Sequence, residues 1–154
     1  METGQLSFFL YNAVKPSLAL CAEQLSAYLP ETAGHDEGYC PVCGGAPALA
    51  ILGGEAGKRS FNCARCTHTW EVNRRFCPHC NNRESKTLGY FYAETEKEFR
   101  VDICDQCKKY IKTVDTRDLP RKIYPPMELV ATLHLDMKAT ENGYTSGAAE
   151  GHLQ

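Results

Sequence analysis

Eight of the nine cysteines in this 154-residue chain occur as four pairs with the spacing Cys-x-x-Cys. A two-residue gap lets both sulfur atoms of a tight turn face one ion, and two such turns complete a tetrahedron. The pairs are Cys40/Cys43, Cys63/Cys66, Cys77/Cys80 and Cys104/Cys107. Their number and spacing predict two four-cysteine metal sites, each holding a single ion.

We compare two groupings of these pairs. In the consecutive grouping, Cys40, Cys43, Cys63 and Cys66 form the first site, and Cys77, Cys80, Cys104 and Cys107 form the second. In a cross-braced grouping, the first pair would join the third. We favour the consecutive grouping because the 19 and 23 residues between successive pairs both read as hairpins. Four sulfur ligands suit zinc and a rubredoxin-type single iron alike, so the metal stays open.

The alternative use of so many cysteines is a disulfide framework, which is typical of secreted chains. The N-terminus has no basic segment, and the apolar stretch Leu6–Leu10 is too short for a signal sequence or a membrane span. We therefore expect a cytoplasmic protein without membrane insertion, in which the thiols stay reduced and bind metal.

Positive charge is concentrated in the middle of the chain, although the formal net charge is −2. Residues 58–122 hold 15 Lys and Arg against 9 Asp and Glu. Eight thiolates around two divalent ions would add negative charge that offsets most of this excess. The basic middle therefore indicates counter-charge to metal sites, and we do not expect nucleic acid as a partner.

An apolar repeat of three and four residues predicts helix within residues 5–29. Pro16 removes a backbone donor, so we expect it to kink or divide this helix. Cys21, the one cysteine outside the pairs, lies on the apolar stripe and is expected to be buried as a small hydrophobe. The polar, Gly-containing stretch 31–38 predicts a linker.

Each segment between two pairs reads as strand, turn and strand, and a third strand follows. The expected strands are Ala48–Leu52, Lys58–Asn62, Thr69–Val72, Leu88–Ala93, Glu98–Ile103 and Tyr110–Val114. In the second copy, side chains alternate on two strands, and those of one face are predicted to form its small core: Leu88, Tyr90 and Tyr92 on one strand, and Phe99, Val101 and Ile103 on the other. Gly44 and Asn81, each directly after a cysteine pair, suit a left-handed backbone that turns N–H groups towards sulfur.

After the second module, Pro125 and Pro126 precede an apolar pattern that predicts one C-terminal helix. The expected parts are an N-terminal helical segment and linker (1–37), a first module (38–75), a second module (76–117), the C-terminal helix (118–144) and a disordered tail (145–154). Each module is too short to fold without its ion. The predicted fold is a small metal-bound α+β protein. It has two tandem rubredoxin-like or zinc-ribbon β-hairpin modules, flanked by an N-terminal and a C-terminal helix.

The motifs occur in an order that is itself informative. They are Cys40-Pro-Val-Cys43-Gly44, Phe61-Asn62-Cys63-Ala-Arg-Cys66-Thr67 with Trp70, Arg75-Phe76-Cys77-Pro78-His79-Cys80, Cys104-Asp-Gln-Cys107, Leu133-His134-Leu135-Asp136 and Glu141-Asn142-Gly143-Tyr144. This order, from about Phe9 to Tyr144, resembles the formate dehydrogenase accessory proteins of the FdhE type. Members of that family usually carry a larger helical N-terminal domain.

The resemblance implies a cytoplasmic maturation factor. Such proteins bind the catalytic subunit of a molybdenum- or tungsten-containing formate dehydrogenase before its export or assembly. The resemblance also implies rubredoxin-like iron, with zinc as the alternative. An enzyme is not expected, because all eight paired cysteines are committed to ions and a catalytic ion keeps an open position. The competing functions are a nucleic-acid-binding zinc ribbon and a rubredoxin-type electron carrier.

The tips of the cysteine turns are the expected surface for a protein partner. Val42, Arg65, His79 and Gln106 lie between paired cysteines, where side chains are expected to point away from the sulfurs. Rigid turns of this kind suit recognition. The sequence leaves open whether the chain forms a homodimer.

Overall fold

The computed structural model describes residues 3–29, 37–54, 56–72, 75–92 and 96–148. Most of the expected linker, residue 55 in the first hairpin turn, residues 93–95 in the second and residues 149–154 of the expected tail lie outside these ranges.

The described residues contain one mixed sheet of seven strands. The strands are β1 (Pro47–Gly53), β2 (Lys58–Cys63), β3 (Thr69–Val72), β4 (Leu88–Tyr92), β5 (Phe99–Cys104), β6 (Lys109–Asp115) and β7 (Thr145–Ser146). Their order is β3-β2-β1-β6-β5-β4, with β7 beside β6. The six expected strands are therefore present, and no end differs by more than one residue from the predicted one.

A parallel pairing joins the first ribbon (β1–β3) to the second ribbon (β4–β6). Leu49 lies opposite Lys112, and the register continues to Leu52 opposite Asp115. Within each ribbon, neighbouring strands are antiparallel. No sequence pattern indicated this junction, because it pairs segments about sixty residues apart in the chain.

Successive strand residues face opposite sides of a sheet, and this sheet has a core on each side. One cluster of buried side chains includes most of the first cysteine group: Ala22, Cys40, Ala50, Phe61, Cys63, Cys66, Trp70, Val72, Phe76 and Ile111. The other cluster lies under the C-terminal helices: Leu49, Phe99, Val101, Tyr110, Val114, Leu135 and Ala139.

The N-terminal helix α1 spans Thr3–Ser26 and continues through Pro16 without division, so the expected break is absent. Cys21 is exposed, which contradicts its expected burial, while the neighbouring Ala22 is buried. The helix contacts the first cysteine group through Ala22 and through Tyr11, whose hydroxyl donates to the Ala64 carbonyl at 2.6 Å. Its larger apolar side chains are exposed: Leu6, Phe9, Leu10, Val14, Leu18, Leu20 and Leu25. The packed face was therefore set by small residues rather than by the apolar repeat.

The C-terminal segment forms two helices, α2 (Pro125–Ala131) and α3 (Leu133–Glu141), where one was expected. The break falls at buried Thr132, whose hydroxyl donates to the Glu128 carbonyl at 2.6 Å. The sheet is tied to both helices by Lys112, because its Nζ lies 2.6 Å from Asp136 Oδ2 and donates to the Leu129 carbonyl at 2.9 Å.

Two further expectations are wrong. The tail was expected to be disordered from Thr145, but Thr145 and Ser146 pair with Lys109 and Tyr110 of β6. The aromatic side chains of β4 were expected in the core, but Tyr90 and Tyr92 are 48% and 45% exposed. The alternation along β4 was predicted correctly, but the buried face of the strand was not. Phe91, on the opposite face from Tyr90 and Tyr92, packs against the core under α3.

Candidate metal centres

The structure brings the eight paired cysteines together as two groups. In the first, Cys40 Sγ lies 3.6 Å from Cys66 Sγ, and Cys43 Sγ lies 3.4 Å from Cys63 Sγ. All four sulfurs lie within 4.8 Å of one another, and the same holds for the second group. The grouping in space is consecutive, since the first two pairs meet each other and not the third pair.

The second group has the same dimensions. Cys77 Sγ lies 3.6 Å from Cys107 Sγ, and Cys80 Sγ lies 3.7 Å from Cys104 Sγ. A tetrahedral ion with metal–sulfur bonds of about 2.3 Å separates its sulfurs by about 3.8 Å, whereas a disulfide bond is about 2.0 Å long. Both groups therefore have the dimensions of a closed four-sulfur metal site and could hold one ion each.

The backbone is left-handed directly after every pair. Gly44, Thr67, Asn81 and Lys108 have φ values of 68°, 59°, 56° and 56°. This conformation closes each turn, as in the bond from Gly44 N to the Cys40 carbonyl at 2.8 Å. Sequence reasoning predicted it at Gly44 and Asn81 only. It did not predict this conformation at Thr67 and Lys108, because Thr and Lys rarely adopt it. Their position directly after a cysteine pair, equivalent to that of Gly44 and Asn81, was the signal that could have found them.

Hydrogen bonds from the turns reach the sulfur atoms. Arg65 N donates to Cys63 Sγ at 3.4 Å, and the side-chain amide of Asn82 donates to Cys104 Sγ at 3.5 Å. The same amide donates to Thr87 Oγ1 at 2.6 Å, and Asn82 Oδ1 accepts from Glu84 N at 3.0 Å. Asn82 thus fixes the orientation of one sulfur, a role that the sequence analysis did not identify. Such bonds orient metal ligands and stabilise thiolates.

Within each group, one cysteine ionises most readily. The hydrogen bond with Cys40, together with those from the backbone of Cys66 and Arg65, lowers the pKa of Cys63 to about 5. Burial opposes ionisation of Cys104, but the bonds from Asn82 and the backbone outweigh it and lower its pKa to about 7. Burial raises the pKa of Cys66 to about 12. In each group the cysteine with the lowered pKa would bind an ion first. The bound cation would then favour ionisation of the other three cysteines.

The two groups differ in solvent access. Cys40, Cys63 and Cys66 are buried, and Cys43 is half-buried. In the second group Cys80 is exposed and Cys107 is half-buried. Helix α1 contributes to the difference, because Ala19 and Ala22 line a cavity together with Cys66. The second group is the more open to water and to dissolved reagents.

The four residues expected to contact a partner differ in their exposure. Gln106 is exposed, whereas Val42, Arg65 and His79 are half-buried. Val42 packs against the core cluster of the first group. Arg65 and His79 line one groove of about 550 Å³ between the first turns of the two groups. The His79 ring lies so close to Gly147 that a β-carbon added there would meet it at 2.1 Å.

Within the described ranges, these are the two groups of three or more His, Cys, Asp or Glu side chains placed to hold an ion. No helix in those ranges has the length and apolar character needed to cross a bilayer. A mixed sheet with short helices and two four-cysteine groups defines a small α+β protein of the metal-binding class.

Comparison with known proteins assigns the chain to a family. The model of the FdhE C-terminal domain matches residues 76–153. The FdhE homologue of Aquifex aeolicus is 30% identical over 147 residues, which cover 94% of this chain and 50% of that protein. The homologue of Edwardsiella ictaluri is 30% identical over 150 residues, covering 96% of this chain and 48% of that protein. The chain belongs to the FdhE family, which confirms the resemblance seen in the motifs.

The fold agrees with a solved structure of the same family. The crystal structure of the FdhE protein from Pseudomonas aeruginosa matches with a TM-score of 0.63 and 29% sequence identity. The match covers 71% of this chain and 39% of that one. The chain thus spans about half the length of the curated relatives it matches.

Proposed function

We propose that this protein is a non-enzymatic accessory factor that binds the catalytic subunit of a formate dehydrogenase in the cytoplasm and supports its assembly or activation. The observation that carries the proposal is membership of the FdhE family together with two complete four-cysteine groups. The catalytic subunit is the expected partner because the motifs of this chain resemble those of the family.

Each four-cysteine group would hold one iron or zinc ion. Cys40, Cys43, Cys63 and Cys66 would bind the first, and Cys77, Cys80, Cys104 and Cys107 the second. An ion with four sulfur ligands has no open position for a substrate, so it supplies structural support, or single-electron exchange if it is iron. The residues themselves hold the ribbons in register: the cysteine turns lie before β1 and after β2 in the first ribbon, and before β4 and after β5 in the second.

Two surfaces support binding of a protein partner. The cysteine turns offer a rigid platform, and Gln106 is exposed at one of them. Helix α1 presents several exposed apolar side chains, among them Leu10, Leu20 and Leu25. Exposed apolar surface is characteristic of interfaces where it forms a patch.

Capture of the catalytic subunit from an extract, with the intact chain as bait, tests the proposal. We expect capture by the intact chain and weaker capture by Cys63→Ser or Cys104→Ser, since each change opens one group. Cys21→Ser is the matched control, because Cys21 is exposed and outside both groups. Unchanged capture by a variant lacking all eight paired cysteines would place the interaction on the helices. No capture by the intact chain would contradict the proposed role.

The metal requires a separate measurement. A visible spectrum with elemental analysis, on protein purified without oxygen, separates iron from zinc. Iron that is reversibly reduced would favour a redox-sensitive role for the two groups, whereas zinc would favour a purely structural role.

A further inference from the structure

We propose that the outer edge of β4, flanked by Arg75, Arg100 and Tyr90, binds an extended acidic segment of a partner polypeptide as an added strand. We call this surface the Arg–Tyr edge; it comprises Leu88–Tyr92, Arg75 and Arg100. The inference goes beyond the proposed function and does not depend on which protein supplies the segment.

The first support is the position of β4 in the sheet. It is the last strand of the order, and among the described residues it pairs with β5 alone. Asp105 N donates to the Thr87 carbonyl at 2.8 Å, immediately before β4 begins. Because the antiparallel pattern repeats every two residues, Gly89 and Phe91 bond to β5, and the N–H and C=O groups of Leu88, Tyr90 and Tyr92 point outward. Such an edge is a template for another strand.

The second support is the aromatic and cationic character of this edge. Tyr90 and Tyr92 are exposed, and their rings meet edge-to-face with centroids 5.5 Å apart. The guanidinium groups of Arg75 and Arg100 each lie 5.1 Å from the centroid of the Tyr90 ring. These cation–π contacts place two positive charges beside the Tyr90 side chain of the edge strand.

The third support is the local charge balance. Asp102 Oδ1 lies 2.9 Å from Arg100 Nε, and Asp102 Oδ2 lies 2.9 Å from Arg59 Nη2. One buried carboxylate is thus shared by two guanidinium groups. Arg75 is exposed, and in the described part of the chain no carboxylate pairs with it. The surplus positive charge is complementary to Asp or Glu side chains of an added strand.

A polypeptide fits this surface better than a single-stranded nucleic acid does. Outward N–H and C=O groups that alternate along β4 are matched by a peptide backbone, whereas a nucleic acid would use the arginines and tyrosines alone.

The opposite edge strand, β3, does not have this positive charge, since its exposed Glu71 pairs with Lys58 at 3.3 Å.

The test is a ¹⁵N-HSQC titration of the full chain, loaded with zinc because zinc is diamagnetic. The probe is a capped peptide of seven residues in which valine alternates with glutamate. We expect the amide signals of Leu88, Tyr90 and Tyr92 to shift, and Arg75→Ala to weaken binding by about five-fold, the effect of one lost charge contact. Lys122→Ala is the matched control, because Lys122 is also an exposed cation and is not part of the Arg–Tyr edge.

Three results would overturn the proposal. The first is no shift in β4 at millimolar peptide, and the second is equal binding by a peptide with lysine in place of glutamate or with N-methylated alternate residues. The third is a stronger shift of the same amides by a short oligothymidylate, which would make the edge a nucleic-acid surface. Because capture of a dehydrogenase subunit is measured separately, none of these outcomes decides the proposed function.

Discussion

Arg59 of β2 and Asp102 of β5 form a buried ion pair that links the two ribbons, with Nη2 and Oδ2 2.9 Å apart. Both side chains are about a tenth exposed, at 9% and 10%. Arg59 Nη1 also donates to the Phe76 carbonyl at 3.1 Å, and Thr113 Oγ1 donates to Asp102 Oδ2 at 2.8 Å. These bonds connect β2 with β5 and β6 across the parallel junction of the two ribbons.

Asp102→Ala should therefore destabilise the whole sheet. Removing the carboxylate leaves Arg59 buried without its partner, a loss of about 3–5 kcal/mol in the free energy of unfolding. Denaturant titration of the metal-loaded protein measures it. The control is Lys58→Ala, which breaks the exposed pair with Glu71, 68% and 64% exposed, and should change stability by about 0–1 kcal/mol. Equal losses in the two variants would contradict a central role for the buried pair.

Cys63→Ser should lower the metal content from about two ions per chain to about one. Cys104→Ser should do the same through the other group, and the double variant should hold about none. Elemental analysis of each purified variant gives the numbers. Cys21→Ser should leave the metal content unchanged, because that cysteine belongs to neither group. Two ions bound tightly by Cys63→Ser would show that the ligand assignment is wrong.

The second group should lose its ion to a chelator first. Cys80 is exposed and Cys107 half-buried, whereas three cysteines of the first group are buried. We expect two phases of release on mixing with excess chelator, monitored by a metal indicator. Cys104→Ser, which removes the open group, should leave mainly the slow phase, and Cys63→Ser mainly the fast one. The reverse assignment would mean that solvent access does not set the rate.

Arg121→Ala should destabilise the protein at neutral pH and much less in acid. The bidentate contact with Arg121, with Nη2 to Oε2 at 2.9 Å, holds the pKa of buried Glu128 below its usual value. A lowered folded-state pKa adds stability above the unfolded-state pKa, and that stability is lost as the pH falls through the folded-state pKa. We expect Arg121→Ala to be less stable than the unchanged protein at pH 7, because the charged Glu128 carboxylate loses its two hydrogen bonds. This difference in stability should shrink below about pH 4.3, the ordinary pKa of Glu, as the carboxyl becomes protonated.

Denaturant titrations of the unchanged protein and of Arg121→Ala at each pH measure this difference. Any loss of metal in acid affects both proteins alike and cancels in the comparison. Lys122→Ala, at the neighbouring exposed residue, is the control. A difference that is independent of pH would show that Arg121 acts through packing rather than through the charge of Glu128.

Thr67→Asn should stabilise the protein by about 0.5–1 kcal/mol, because a β-branched residue is strained at positive φ and Asn tolerates that conformation. The reciprocal change Asn81→Thr, at the equivalent position of another turn, should destabilise it by a similar amount. Thermal unfolding of the metal-loaded variants measures both. If the two changes shift the melting temperature in the same direction, backbone strain is not the cause.

Local patterns in the sequence predicted much of the candidate site. The cysteine spacing predicted which four sulfurs meet, because each two-residue gap closes a turn and each hairpin brings two turns together. The alternation of residues predicted the ends of the six main strands to within one residue. The same reasoning failed at Cys21, Tyr90 and Tyr92. The periodicity was predicted correctly there, but these residues lie on the exposed face and not on the buried one.

The sequence by itself thus determined the two four-cysteine groups, the ribbons that carry them and the family, since these depend on residues close together in the chain. Only the tertiary structure decided the parallel junction of β1 with β6, the Arg59–Asp102 pair across it and the edge position of β4. These features arise from contacts between segments forty or more residues apart. Such contacts depend on which surfaces remain uncovered after each ribbon has formed, and no local periodicity encodes that choice.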